Sequence, residues 1–354
     1  MTLILKVDPL NPDPASIRKA VDILRSGGLV AFPTETVYGL GALVFNEQAS
    51  RKVYIVKNRP LDNPLIIHIS SLEMLDTVAT NIPERALRLA EKFWPGPLTL
   101  ILPRNKSVPK VVSGGLDTVA VRMPAHPVAL ALVKEAGEPV AAPSANLAGK
   151  PSPTTAEHVI QDLYGKIDAI IDAGETLYGV ESTIINILSS PPVLLRPGAI
   201  PVEEIERVLG ERVLVPNYAR GLSEARAALA PGMRYKHYAP ETPLVLIDPV
   251  SGDLEALVEK MMLTVNEYLG KHSKVCIVAS KELADFYRSI RGVHVVEIGS
   301  RANMFEVAKN LFKTLRMLDE MRCNVGIVEG FEERGLGLTV MNRLRKASQV
   351  RILA

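Results

Sequence analysis

Cationic and hydroxyl side chains recur in this chain where apolar runs give way to glycine and proline. Pro33-Thr34-Glu35-Thr36-Val37-Tyr38-Gly39-Leu40-Gly41, Lys57-Asn58-Arg59, His68, Arg122 and Ser144-Ala145-Asn146 each lie in or beside such a run. Donors fixed at the mouths of buried strands are how many α/β proteins hold an anion. So many separate donor groups suit a polyphosphate, and a nucleoside triphosphate is the ligand class they imply.

Taken one at a time, these residues carry unequal weight. Arg122 ends the apolar run Val119-Ala120-Val121, and a guanidinium buried there demands a partner or an anionic ligand. Thr118 opens the same run, where its hydroxyl can reach phosphate or ribose, although threonine is also a good strand former. Lys57 and Arg59 stand at the end of a helical stretch just before Pro60. Two cations there fit a polyphosphate, yet lysine and arginine are most often solvated. His68 interrupts Ile66-Ile67 and Ile69, just after Asn63-Pro64, and a lone imidazole in an apolar strand is more often a hydrogen-bonded core group than a catalyst.

Ala142-Pro143-Ser144-Ala145-Asn146 follows Val140-Ala141, and Ser152 lies beyond Gly149-Lys150-Pro151. Such a loop either binds phosphate through its donors or is a turn held by its own side chains. Glu181-Ser182-Thr183 and Arg196-Pro197-Gly198 repeat the arrangement at two later strand edges, and this convergence favours one site. The chain has no GxxxxGK[ST], HExxH, GxSxG or kinase motif set, which excludes the familiar phosphate and hydrolase machines. Tyr38-Gly39-Leu40-Gly41-Ala42 lacks the third glycine of a dinucleotide fingerprint. No carboxylates cluster at metal-ligand spacing, so a divalent ion is expected to arrive on the nucleotide phosphates.

The elements that must position these residues alternate between strand and helix. Asp13-Pro14, then Ile17, Ala20, Val21 and Leu24, then Gly27-Gly28 predict a helix with its cap, its N1 proline and its terminal glycine. Strands are expected at 29–33, 65–69, 98–102, 118–121, 169–171 and 182–188, with helices near 72–79, 84–93, 127–136 and 156–163. Residues 1–212 therefore read as an α/β domain. Residues 213–240 read as a linker, and its aromatic, basic end, Tyr235 to Pro240, reads as a lid. Residues 241–354 carry apolar runs at 244–247, 275–278, 293–298 and 325–328, the pattern of a smaller Rossmann-like parallel domain, without a GxGxxG loop.

With 354 residues and 47% hydrophobic content, two cores are the default. The net charge of +2 argues against recruitment of nucleic acid or membrane by a global field. Cys276 and Cys323 are far apart and outside any CxxC, which argues against a disulfide or a thiolate metal site and for a reducing, cytoplasmic home. No signal peptide or membrane span is visible.

The order PTETVYGLG, KNR followed by PLDNPL and His68, TVAVRMP, APSAN, ESTI and LLRPG resembles the YrdC-like threonylcarbamoyl-AMP synthases. His237-Tyr238-Ala239-Pro240 and the appended domain resemble the long, two-domain form of that family. The resemblance implies a twisted mixed sheet with flanking helices in the first domain. It also implies a nucleotidyltransferase that condenses L-threonine, bicarbonate or carbon dioxide, and ATP to threonylcarbamoyl-AMP and pyrophosphate. Magnesium would come on the ATP, with no organic cofactor. The product would pass to the tRNA threonylcarbamoyl-transferase proteins, with at most weak direct tRNA contact. Carried onto matching positions, Thr36, His68, Arg122, Ala142 and Ser182 would contact threonine. Arg59, Asn63, Thr118, Ser144, Asn146, Ser152, Arg196 and Tyr238 would contact ATP, and Lys57 and Arg59 would be the catalytic cations. An RNA-binding module, disfavoured by 5% aromatic content, and an enzyme using carbamoyl phosphate are the other readings.

Overall fold

The computed structural model describes residues 1–225, 227–233, 237–249, 252–271 and 274–354. Two compact units form: Met1–Ala148 with Ser152–Ala219 and Glu224–Arg234, and Gly149–Pro151 with Arg220–Ser223 and Tyr235–Ala354. Tyr235 and Lys236, with which the expected lid begins, lie outside the described residues.

The strands of the first unit are β1 (Leu3–Lys6), β2 (Val30–Pro33), β3 (Tyr38–Leu43), β4 (Ile66–His68), β5 (Leu98–Pro103), β6 (Thr118–Arg122), β7 (Val140–Ala141), β8 (Ala169–Asp172), β9 (Thr183–Asn186) and β10 (Val193–Arg196). They make one mixed sheet in the order β1-β8-β2-β3-β7-β4-β6-β5-β9-β10. β4 runs parallel to β6, whereas β5 runs antiparallel to β6 and parallel to β9. Helices at Pro14–Arg25 and Pro127–Ala136 bury Ile17, Val21, Leu24, Leu132 and Val133 against strand residues Val30, Phe32 and Ile171. The first of these helices starts as expected, with Asp13 accepting from the Ser16 N–H at 2.9 Å.

β3 is the main departure. Its two glycines fall short of a dinucleotide fingerprint and no strand was expected there, yet Tyr38–Leu43 is a fully buried strand paired antiparallel with β2. A Cβ on Gly41 would lie 2.8 Å from Phe32 Cε1 and 2.9 Å from Val140 Cγ1. Close packing against neighbouring strands explains the glycine there. The strand β1 and the helix Val202–Leu209 also form where no element was expected, whereas β10 ends at Arg196, where a strand edge was. Part of the expected linker belongs to the first core, because Ala225, Ala230 and Met233 pack on Ile66, Ile101, Ala120, Ile184 and Leu195.

The second unit is a five-stranded sheet of β11 (Leu244–Asp248), β12 (Val275–Ser280), β13 (Val293–Gly299), β14 (Val325–Glu329) and β15 (Val350–Leu353), ordered β13-β12-β14-β11-β15. Each of its strand pairings is parallel. Four of the strands sit where the apolar runs predict them. β15 was missed because its side chains are mostly exposed and no buried run marks it. No helix among the described residues is long and apolar enough to cross a membrane.

The cysteine expectation is corrected. Cys276 and Cys323 form a disulfide, with Cα atoms 6.0 Å apart. Their separation of 47 residues misleads because a strand and two helices intervene. Cys276 lies on β12, opposite Gly326 on the adjacent β14, and Cys323 lies just before that strand. The cysteines therefore no longer argue for a reducing compartment. In the chain-entropy picture, closing a loop of this size stabilises by about 4 kcal/mol. Reduction, or the pair Cys276→Ala and Cys323→Ala, should lower the stability of the second unit by that order. A denaturant midpoint indifferent to reductant would show that the bridge contributes nothing.

Candidate active site

Arg122 anchors one end of the site. It closes β6 beside His68 on β4, its register partner. Although only 3% exposed, its guanidinium donates to Thr36 Oγ1 at 2.9 Å and to the Gly96 carbonyl at 3.3 Å. Nη2 lies 2.5 Å from Glu35 Oε1, an ion pair whose alignment falls short of a hydrogen bond. Thr36 and Glu35 are presented by the turn from β2 to β3. That turn is fixed by Thr34 Oγ1, which donates to the Val37 carbonyl at 2.7 Å and shares a 2.8 Å contact with Thr36 Oγ1. His68 is buried edge-on against Phe32, with ring centroids 6.0 Å apart. Burial, with the Arg122 charge adding to it, pushes its pKa down to about 3. His68 is therefore a neutral hydrogen-bonding group, not a proton shuttle.

A second cluster sits where β9 and β10 meet. Arg196 donates through Nε and Nη2 to the Ser182 carbonyl, at 3.2 and 2.9 Å, and through Nη2 to Ser182 Oγ at 3.1 Å. Ser182 Oγ also lies 2.7 Å from Thr99 Oγ1 on β5, and Ser152 Oγ donates to Glu181 Oε1 at 2.7 Å. Gly198 makes this geometry possible. A Cβ there would lie 2.3 Å from the Ser182 carbonyl carbon and 2.4 Å from the Glu181 carbonyl oxygen, both backbone atoms that cannot yield.

A third cluster joins the helix Glu47–Lys57 to the loop after β7. Lys57, read from residue type alone as a solvated charge, is 1% exposed. Its ammonium donates to the Ser144 carbonyl at 2.6 Å and to the Asn146 carbonyl. Burial first, and then the Arg59 charge, hold its pKa well below the ordinary lysine value. The helix ends at Asn58 in the left-handed conformation, φ 54°. That turn releases Arg59 to donate to the carbonyls of Asn63 and Pro64, at 3.1 and 3.0 Å. Among the described residues no donor reaches the buried Asn63 Oδ1.

Apart from Thr118, the expected residues of the first unit thus fall into or beside three clusters on a common scaffold. Ser144 bridges to Gly39, and the Ala142 N–H bonds to the Ile66 carbonyl at 2.9 Å, which ties the serine loop to β3 and β4. Thr118 is half-buried at the opposite end of β6 from Arg122, about 13 Å away on the same face by strand geometry. Tyr238 belongs to the second unit, where its ring stacks on Phe312 at 5.3 Å and lies under the Arg343 guanidinium at 5.1 Å. Two participants had not been singled out: Thr99, hidden in an apolar strand without a local signal, and Glu35. The signal for Glu35 was present as an acidic residue in a short turn between two buried strands. Among the described residues no group of three or more His, Cys, Asp or Glu could hold a metal ion.

Residues 22–198 match the family model described as Telomere recombination, and residues 200–349 match that of the threonylcarbamoyl-AMP synthase C-terminal domain. The chain is 49% identical to the threonylcarbamoyl-AMP synthase of Pyrococcus abyssi, over 100% of this chain and 99% of that one. It is 44% identical to the enzyme of the same name from Bacillus subtilis, over 98% and 96%. The crystal structure of P. abyssi Sua5 complexed with L-threonine superimposes with a TM-score of 0.92 at 47% identity, covering 100% of both chains.

With its pKa pushed down to about 3, His68 is uncharged in the fold but would take up a proton near pH 6.5 once unfolded. The sign follows: stability is full above about pH 6.5 and falls as the pH drops towards 3. Imidazole resonances followed by NMR should show no His68 titration between pH 8 and pH 4. A step near pH 6.5 would mean that the ring is solvated.

Proposed function

The chain belongs to the threonylcarbamoyl-AMP synthase family, and on that premise we propose that it condenses L-threonine, bicarbonate or carbon dioxide, and ATP to threonylcarbamoyl-AMP and pyrophosphate. The product feeds threonylcarbamoylation of the adenosine beside the anticodon of certain tRNAs, carried out by the tRNA threonylcarbamoyl-transferase proteins in the cytoplasm. The observation that carries this reading is the buried Arg122 with Thr36 and His68. It is a cation and two neutral polar groups, donors and acceptors that suit a small hydroxy amino acid, next to loops rich in donors.

In this reading the threonine carboxylate lies on Arg122, its hydroxyl near His68, and Thr36, Ala142 and Ser182 complete the amino-acid end. ATP runs along Arg59, Asn63, Thr118, Ser144, Asn146, Ser152 and Arg196, with magnesium on its phosphates as part of the substrate. The substrate ammonium gives up a proton, and the free amine adds to carbon dioxide, or to bicarbonate with loss of water, to form the carbamate. A carbamate oxygen then attacks the α-phosphorus, the bond from that phosphorus to the bridging oxygen breaks, and pyrophosphate leaves with the electron pair. The protein supplies little covalent chemistry. Orientation contributes about 7–11 kcal/mol of barrier lowering, and Lys57, Arg59 and Arg196 shape or face the developing charge. Lys57 acts partly through the loop its ammonium holds.

Incubation of the protein with ATP, magnesium, bicarbonate and L-threonine should yield pyrophosphate and a matching adenylate, and omitting threonine or bicarbonate should abolish both. ATP turnover indifferent to threonine would point instead to a carbamoyl-phosphate enzyme. Salt-sensitive tRNA binding without turnover would point to an RNA-binding module. Threonine differs from serine by one methyl, worth about 1–3 kcal/mol in an apolar pocket. The kcat/KM for threonine should therefore exceed that for serine by about 10- to 200-fold, and a ratio near one would rule out that pocket.

A further inference from the structure

Glu35 has no part in the reaction outlined so far, and its placement needs a reason. It is 4% exposed, and among the described residues its carboxylate has the Arg122 ion pair but accepts no hydrogen bond. A buried carboxylate with one ion pair and no hydrogen bond still has acceptor capacity that a ligand's donors can fill. Like Glu181, it stands in a site rich in cations and hydroxyls, where a negative charge opposes the binding of ATP.

An amino acid is a zwitterion, and a site that takes its carboxylate on an arginine still leaves an ammonium to satisfy. Glu35 Oε1 lies 2.5 Å from Arg122 Nη2, so its carboxylate and the guanidinium form an adjacent pair of opposite sign. In an α-amino acid the ammonium and carboxylate are separated by a single carbon, the spacing such a pair matches. His126 and Tyr178 also feel the Glu35 charge, but burial favours the neutral form of each, lowering the pKa of His126 and raising that of Tyr178, so neither offers the ammonium a negative charge. The turn that carries Glu35 is also held, by the bond from the Tyr178 N–H to the Glu35 carbonyl at 2.9 Å and by the Thr34 contacts. A carboxylate on a fixed turn, ion-paired once and with acceptor capacity left over, is preorganised for a second cation.

We propose that Glu35 receives the α-ammonium of the amino-acid substrate, making it the residue that selects an amine-bearing acid over its des-amino analogue. This rests on the reading that threonine is the substrate and names the partner of its amino group. Without threonine, Glu35 shields the Arg122 charge. With threonine bound, the guanidinium turns to the substrate carboxylate and Glu35 to the ammonium.

The test is calorimetric titration of the full chain with L-threonine and with 3-hydroxybutyrate, which keeps the carboxylate, hydroxyl and methyl but lacks the amine. The wild-type protein should bind threonine at least about tenfold more tightly, as expected of a desolvated charge-assisted contact. Glu35→Gln should weaken threonine binding by at least about tenfold while leaving 3-hydroxybutyrate unchanged or tighter. Equal weakening of both ligands would overturn the proposal, because Glu35 would then act only by holding Arg122. Equal affinity of the wild-type protein for both ligands would also overturn it, and that comparison decides even if Glu35→Gln fails to fold. A wild-type protein that binds 3-hydroxybutyrate and threonine alike therefore refutes the role of Glu35 alone. One that binds neither refutes the threonine reading beneath it.

Discussion

A guanidinium buried at the end of a central strand sets the terms for the first unit. Arg122 gives up nearly all of its hydration, so its partners must come from neighbouring elements: a hydroxyl and a carboxylate from the turn after β2, and a carbonyl from the segment before β5. Removing one partner of such a pair costs about 3–5 kcal/mol. The requirement reaches outwards. Glu35 and Thr36 must stand on a fixed turn, so Thr34 braces it, and β3 must pass close behind, so Gly41 has no room for a side chain. The same desolvation keeps His68, one strand away, neutral.

The other cations of the site are used differently. Lys57, Arg59 and Arg196 each donate to backbone carbonyls of loops that carry further candidate ligand contacts. A charged donor satisfied by backbone oxygens fixes those loops before any ligand arrives, and its positive field stays in place. For an enzyme whose chemistry is mostly positioning, that is an economical use of charge, since little reorganisation is left for the moment of reaction. The deep burial of Lys57 follows from the same logic. Its ammonium is tolerated at 1% exposure because two carbonyls face it, and its pKa falls because those partners do not fully replace water.

The segment after Val213 shows how packing overrules composition. Its run of alanine, glycine and proline has no periodicity, and among its described residues no regular element longer than a bridge forms. Ala225, Ala230 and Met233 nevertheless cover Ile66 and Ala120, which share the sheet face of His68 and Arg122. The first unit is therefore not closed by its own strands and helices alone. A stretch that reads as a tether supplies part of the core beneath the site.

Much of this was legible beforehand, because secondary structure follows local periodicity and capping. Asp13 and Pro14 start a helix wherever they stand, and the apolar runs at 65–69, 98–102 and 118–121 become strands with Arg122 and His68 at their ends. The types and order of the site residues, and with them the family, were likewise written in the chain. Other features depended on which strands become neighbours, and a sheet ordered β1-β8-β2-β3-β7-β4-β6-β5-β9-β10 is settled by non-local register. Only that arrangement brings Glu35 to Arg122 across 87 positions, turns Lys57 inwards to a loop beyond residue 140, and sets Cys276 beside Cys323. Local sequence governs backbone conformation through sterics and periodicity. The partner of a buried charge or thiol is decided by long-range packing, and so it belongs to the tertiary structure.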